Sequence, residues 1–380
     1  MHLTKDIMLK TASFILFLGL LWVGVELAKH KPLWGDEVYS QHGVQELSYG
    51  KILLGRINEG NNSPLFYLIQ KGITDLTGYR LPPQGSWDQK LRVLLRLAPN
   101  AVMSLALVLT FYFFARNYAL WAGAYGFLTA LFSFNVWLYW GEARPYALWF
   151  FLTIAQSLLF LYIIKRPEGY LKSWRWLTAV HLLLASTVIF SFLQIAVVSV
   201  LLWLLKEKNW KKYVGLFIIP CIMIVYYYFL APKYKFFFPR TALQLIYPGF
   251  PKEWMLFLGL YMIALISSLR KKPRPFEIRK DPNIAVISYM MLTSLILLGA
   301  AVVLACFKAG SVLPGQGFEI SHRYFIYLTP IGAVAVTLAA IELMKVCQHH
   351  RWLKINVIMG LWAFLVISLL RNSLWAMWFF

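Results

Sequence analysis

Acidic residues are scarce in this chain: 16 Asp and Glu stand against 37 Lys and Arg in 380 residues, and all charged residues together make up 14%. A soluble domain carries about 25% charged residues, so that shortage excludes an ordinary water-soluble fold. Cysteine is nearly absent. Cys221 and Cys306 lie in apolar runs and Cys347 lies in a basic stretch, which excludes a disulfide framework and a zinc spacing. No internal repeat or low-complexity tract stands out. What fills the chain is apolar: 60% hydrophobic residues and a mean hydropathy of +0.62. The composition is that of an all-α, polytopic membrane protein. The net charge of +21 suggests a nucleic-acid partner only until its placement is read. Lys and Arg sit in short clusters between apolar runs, the pattern of cytoplasmic loops, so no nucleic acid is expected.

A helix needs about 20 apolar residues to span a bilayer. Candidate spans fall near 11–28, 97–115, 119–139, 143–164, 175–188, 190–205, 213–231, 254–269, 284–307, 323–344 and 354–371. The stretch 175–205 is too long for one helix and is divided between Ser186 and Ser191. The first apolar run follows Lys5 and Lys10 like a signal peptide, but Val25-Glu26-Leu27-Ala28 is a poor cleavage site. It is read as an uncleaved anchor. With the N-terminus in the cytoplasm, alternation places the basic clusters Lys165 to Arg175, Lys206 to Lys212, Arg270 to Lys280 and Lys345 to Lys354 inside, as the positive-inside bias requires. Residues 64–77 are apolar enough to tempt a further span. Counting them would invert every later loop, so they are read as an interfacial or re-entrant helix within a long outer loop, 29–96. The expected organisation is a single membrane domain over 1–380, with about eleven spans and no soluble C-terminal domain.

Short polar marks interrupt this apolar background. Trp34-Gly35-Asp36-Glu37-Val38 follows the first span. Charge beside a bilayer is costly unless it is paired or used. Asn61-Asn62-Ser63-Pro64 precedes the interfacial helix, where Asn62 or Ser63 is either its cap or, with Asn61, a substrate contact. Arg96-Leu97-Ala98-Pro99 opens the second span and is read as structural. Glu142-Ala143-Arg144-Pro145-Tyr146 opens the fourth, and Ser321-His322-Arg323-Tyr324 opens the tenth. Asp36, Asn61, Asn62, Arg144 and Arg323 all fall on the outer face under an assignment that did not impose it. A carboxylate there can serve as a general base toward a hydroxyl. Arg144 and Arg323 either snorkel or grip phosphate oxygens in pairs. A divalent cation at Asp36 and Glu37 is the alternative. Only Glu142 and Glu319 are on hand to complete its oxygen shell, so no metal is expected to be required.

In this order the marks resemble GT-C fold glycosyltransferases: Asp-Glu after the first span, an Asn/His-x-Pro-Leu-x-Tyr stretch, Arg-Leu-x-Pro, Glu-Ala-Arg-x-Tyr-x-Leu, and Ser-x-Arg-Tyr. The likeness is to the protein O-mannosyltransferase and lipid A aminoarabinose transferase type, especially the bacterial family 39 proteins, and it covers about 30 to 345. It implies a multi-pass enzyme of the plasma (inner) membrane that moves a sugar, with inversion, from a polyprenyl-phosphate donor to an acceptor hydroxyl on the extracytoplasmic face. By motif match Asp36 is the catalytic base and Glu37 its neighbour in the site. Arg144, Arg323, Tyr324, His322, Asn61, Asn62, Glu142 and Tyr146 are the expected substrate-binding residues. Arg144 and Tyr146 stand where aminoarabinose transferases carry an Asp, so a second-carboxylate role falls to Glu142. The acceptor, whether lipid, protein or glycan, is not specified. A transporter or flippase of a lipid-linked sugar, and a glycan polymerase or ligase, are the competing readings.

Overall fold

A computed structural model of the chain describes residues 2–57, 63–81, 88–165, 170–206, 208–230, 259, 286–296, 326–346 and 358–367. Among these the fold is helical, without strands. The helices are α1 (His2–His30), α2 (Gly35–Glu46), α3 (Tyr49–Leu53), α4 (Leu65–Thr77), α5 (Gln89–Leu95), α6 (Leu97–Asn117), α7 (Leu120–Leu131), α8 (Phe134–Tyr139), α9 (Tyr146–Lys165), α10 (Tyr170–Ala185) and α11 (Ser191–Leu205). They continue with α12 (Lys211–Leu230), α13 (Val286–Ile296), α14 and α15 (Ile358–Ile367), where α14 is Leu328–Val346. Among the described residues, five helices are long and apolar enough to cross a membrane: α1, α6, α9, α12 and α14. The divided 175–205 stretch is two helices, α10 and α11, broken at residues 186–190. The expected single span 119–139 differs. It breaks between α7 and α8, where Phe132 and Ser133 leave the helix and their N–H groups turn back onto Leu128 and Ala130. The expected span 254–269 lies almost entirely outside the described residues.

The long loop after α1 folds into α2–α5, which gather at one end of the bundle. α4 is 13 residues long and so rises about 20 Å, short of the roughly 30 Å of a bilayer's hydrocarbon. Its buried residues Phe66, Tyr67, Gln70, Lys71 and Thr74 follow the three-to-four spacing of one helix face. That face is bonded to its neighbours: Gln41 donates to Thr74, Lys71 donates to Val44 O, and Gln70 donates to Leu95 O. Ser63 does not cap α4. Its backbone N–H donates to Thr187 O, and that of Leu65 donates to Ser186 O, so the start of α4 is pinned to the α10–α11 break. Tyr227, near the C-terminal end of α12, donates to Leu53 O of α3.

The loop therefore touches the C-terminal ends of α1, α10 and α12 and the N-terminal ends of α6 and α9. These are the ends that strict alternation assigns to one side. The opposite end is basic. Arg116 of α6 meets Asp6 of α1 at 3.7 Å, Lys165 of α9 lies 4.1 Å from the Tyr118 ring centre, and Lys212 of α12 lies 5.8 Å from that of Trp174.

Between the two ends, small residues let helices approach, as apolar solvent demands. A Cβ built on Gly24 of α1 would lie 2.9 Å from Trp140 Nε1 and 3.1 Å from Asn100 Cγ, while Asn100 donates to Gly24 O at 2.9 Å. At Gly123 a Cβ would lie 2.7 Å from both Phe111 O and Ala115 Cβ. The α6–α7 hairpin can close only because no side chain is there. Gly123→Ala should therefore cost about 1–3 kcal/mol through overpacking and lower the melting temperature in detergent; a wild-type melting curve would contradict this packing. Deeper in the bundle a polar chain binds α9 to α13. Gln156 Oε1 accepts from Gln194 and Tyr289, Gln156 Nε2 meets His181, and His181 Nδ1 meets Leu216 O on a π-turn of α12. Buried polar groups in hydrocarbon are costly unless bonded in this way.

Candidate active site

The site is assembled around one buried ion pair. Arg96, at the junction of α5 and α6, is fully buried, and each of its five guanidinium N–H groups has an acceptor. Nε and one Nη2 hydrogen donate to Glu37 Oε1 and Oε2 at 3.0 and 2.7 Å. The other Nη2 hydrogen reaches Pro32 O at 2.7 Å, and Nη1 reaches Ala28 O and Lys31 O at 3.3 and 2.6 Å. The cation thus closes the carbonyl end of α1, where the helix dipole is negative. Glu37 is buried and equally committed. Beyond Arg96 it accepts from Trp34 N at 2.9 Å and from Ala143 N at 2.5 Å. One carboxylate therefore starts α2 and ties it to the chain just ahead of α9. A satellite apolar cluster that includes Leu33, Leu91, Leu95 and Ala143 packs beside this knot.

Asp36 and Arg144 are the residues adjoining Glu37 and Ala143. Because that pair is hydrogen-bonded, its neighbours meet although 108 positions separate them. Successive residues of a helix point about 100° apart, so the Asp36 side chain leaves the knot that Glu37 enters. Its carboxylate remains 49% exposed, and Arg144 Nη2 stands 3.9 Å from Oδ2. The Arg144 guanidinium is only 8% exposed. Its Nη1 donates to Ser40 Oγ at 2.7 Å and to Asp36 O at 3.3 Å, so it grips the first turn of α2. That turn also directs the positive end of the α2 dipole toward Asp36, which favours its negative charge.

A small open cleft lies here, lined by Trp34, Asp36, Glu37, Leu138, Tyr139, Glu142 and Arg144. Glu142 forms a nearly buried pair with Lys31 at 3.2 Å, and Lys31 also donates to Leu138 O at 2.6 Å. Tyr146 is buried under the cleft. Its ring packs 4.7 Å from that of Tyr139 and lies 6.0 Å from Arg144 Cζ. Of the residues expected at the site, Asp36, Glu37, Glu142, Arg144 and Tyr146 come together. Asn61, Asn62, His322, Arg323 and Tyr324 lie outside the described residues. Past the last of these marks, Tyr327 stacks on Trp149 of α9 with ring centres 5.1 Å apart. Sequence reasoning missed Lys31, Ser40 and Tyr139, which carry no local signal, and gave Arg96 no partner.

No family model matches the chain, and no curated protein matches it in sequence. Among solved structures, a crystal structure of ArnT from Cupriavidus metallidurans bound to undecaprenyl phosphate aligns over 97% of this chain and 75% of its own, with a TM-score of 0.53 and 13% sequence identity. The fold is that of ArnT. The expected GT-C architecture, all-helical and polytopic, is borne out as a fold.

Proposed function

We propose that the protein is a multi-pass membrane glycosyltransferase that takes a sugar from a polyprenyl-phosphate donor and passes it to an acceptor hydroxyl. The observation that carries the reading is the exposed Asp36 carboxylate, held beside the Arg144 guanidinium in a cleft at one end of an ArnT-like bundle. In the proposed reaction Asp36 accepts the proton of the acceptor O–H as its oxygen attacks the anomeric carbon. The C–O bond to the phosphate breaks, and its electron pair leaves with the lipid phosphate. The products are the glycosylated acceptor, inverted at that carbon, and polyprenyl phosphate. A fixed guanidinium facing the departing phosphate stabilises the charge that grows there. Arg144 is assigned that task, with Arg323 as its partner from the segment before α14. Both oxygens of Glu37 are occupied by donors, so Glu37 is a positioning residue, and its recruitment by a metal would break the Arg96 contact. Glu142 and Tyr146 support the cleft wall.

The basic end of the bundle belongs in the cytoplasm by the charge bias, which puts the cleft on the extracytoplasmic face. The ArnT structure contains undecaprenyl phosphate, and the same class of lipid is assigned here as donor carrier. The test uses membranes from cells that overproduce the protein, supplied with labelled polyprenyl-phosphate hexoses. Label leaving the lipid fraction, in excess of that seen with control membranes, supports the reaction. Label that stays on the lipid but crosses the bilayer would favour a transporter instead. Arg144→Ala should raise the apparent KM for the donor roughly ten- to a hundred-fold, the range of a lost charge-assisted contact of about 1.5–3 kcal/mol. Lys at this position should restore little, because it lacks the two-pronged geometry. Unchanged donor dependence would remove Arg144 from the phosphate.

A further inference from the structure

We infer that the indole of Trp34 is the stacking platform on which a sugar ring lies while it faces Asp36, an inference that rests on the glycosyltransferase reading. Three backbone bonds hold Trp34. Its N–H donates to Glu37 Oε2 at 2.9 Å, and its carbonyl accepts from Glu37 N at 2.9 Å and from Val38 N at 3.1 Å. Through Glu37 the residue is tied to the fully buried Arg96. The chain on either side is fixed, and the preceding Leu33 is buried, yet the indole stays 41% exposed. Among the described residues, a large apolar ring on a clamped backbone is thus left partly uncovered beside a carboxylate in the wall of a cleft.

The remaining lining defines what fills it. Asp36 and Glu142 bring carboxylate oxygens to the wall, and Arg144 brings guanidinium N–H groups. A sugar ring suits this mixture. Its axial C–H face is weakly positive and lies against the electron-rich face of an aromatic ring, while its hydroxyls need acceptors and donors around the rim. The sugar is either the one carried by the donor lipid or one belonging to the acceptor, and the experiment separates these.

Wild-type, Trp34→Ala and Trp34→Phe full-length proteins are purified in detergent. Each is titrated with undecaprenyl phosphate and with undecaprenyl phosphate carrying glucose, mannose or galactose. If the indole stacks on the donor sugar, the wild type binds one glycosylated lipid more tightly than the bare phosphate. Trp34→Ala then erases that preference, a loss of roughly three- to ten-fold by the worth of an aromatic contact, without changing affinity for the bare lipid. Trp34→Phe restores most of it. If the indole stacks on an acceptor sugar, the preference survives in Trp34→Ala. In that case methyl hexosides that compete with transfer in wild-type membranes cease to compete in the variant. Loss of affinity for both lipids alike, or no change in either arm, would make Trp34 an interfacial anchor and overturn the inference. Failure of the wild type to bind any of the lipids would overturn the glycosyltransferase reading, and this inference with it.

Discussion

Membranes containing Asp36→Asn are expected to move no measurable label from a polyprenyl-phosphate hexose, while the variant accumulates and melts like the wild type. The magnitude follows from chemistry. A positioned general base contributes about 10²–10⁴-fold, and an amide of the same shape cannot take the proton. Little stability is at stake, because the Asp36 carboxylate is half exposed and its contact with Arg144 Nη2 is long, at 3.9 Å. Arg144 grips the Asp36 main-chain carbonyl and the Ser40 hydroxyl, and both contacts survive the substitution. A long ion pair at this exposure contributes well under about 1 kcal/mol. Asp36→Glu tests the geometry, since it keeps the base but moves it outward by one methylene; a residual rate above that of Asn is expected. The measurement is label transfer per folded molecule, normalised by fluorescence-detected size exclusion. Near wild-type transfer by Asp36→Asn would remove Asp36 as the base, and a collapse of the elution peak would make its role structural.

How far such a site can be read from sequence depends on the range of the contacts that make it. The helical, polytopic character and the ArnT-like architecture were legible, because hydropathy and loop charge act through local runs of residues. So was the gathering of Asp36 and Arg144 at the same end of the bundle, through the alternation of spans. That Asp36 rather than Glu37 stays exposed was suggested only by the family resemblance, not by the residues themselves. Both are acidic and adjacent, and which one faces the cleft depends on where α2 begins and on Arg96, 59 positions away. Lys31 gave no signal, since a lone lysine after a span looks like any loop cation. Its acceptors, Leu138 O and Glu142, become neighbours only when α8 folds back against α1. The break in the expected span 119–139 was likewise hidden, because Phe132 and Ser133 interrupt the helix without a proline or glycine.

The neighbouring carboxylate should behave in the opposite way. Glu37→Ala and Arg96→Ala are each expected to destroy the folded protein rather than its chemistry, at about 3–5 kcal/mol apiece, because each leaves an uncompensated charge in a buried site. Arg96→Lys should fare little better. Lysine offers three donors where five are in use, so carbonyls at the end of α1 or an oxygen of Glu37 would go unpaired. The signature of a true pair is non-additivity. The Glu37→Ala, Arg96→Ala double variant should be less destabilised than the sum of the singles, since it removes both buried charges together. Melting temperature and monodisperse yield in mild detergent read this directly, and single variants that melt like the wild type would refute the knot. Activity then gives an independent check. Glu37 holds Ala143 N, and Ala143 precedes Arg144, so any Glu37 variant that does fold should lose the approach of Arg144 to Asp36. Such a variant would show a raised donor KM with its Asp36 intact. Two adjacent acids in one helical turn would thus separate cleanly, one failing in transfer and the other failing first in folding, because one faces the cleft and the other faces Arg96.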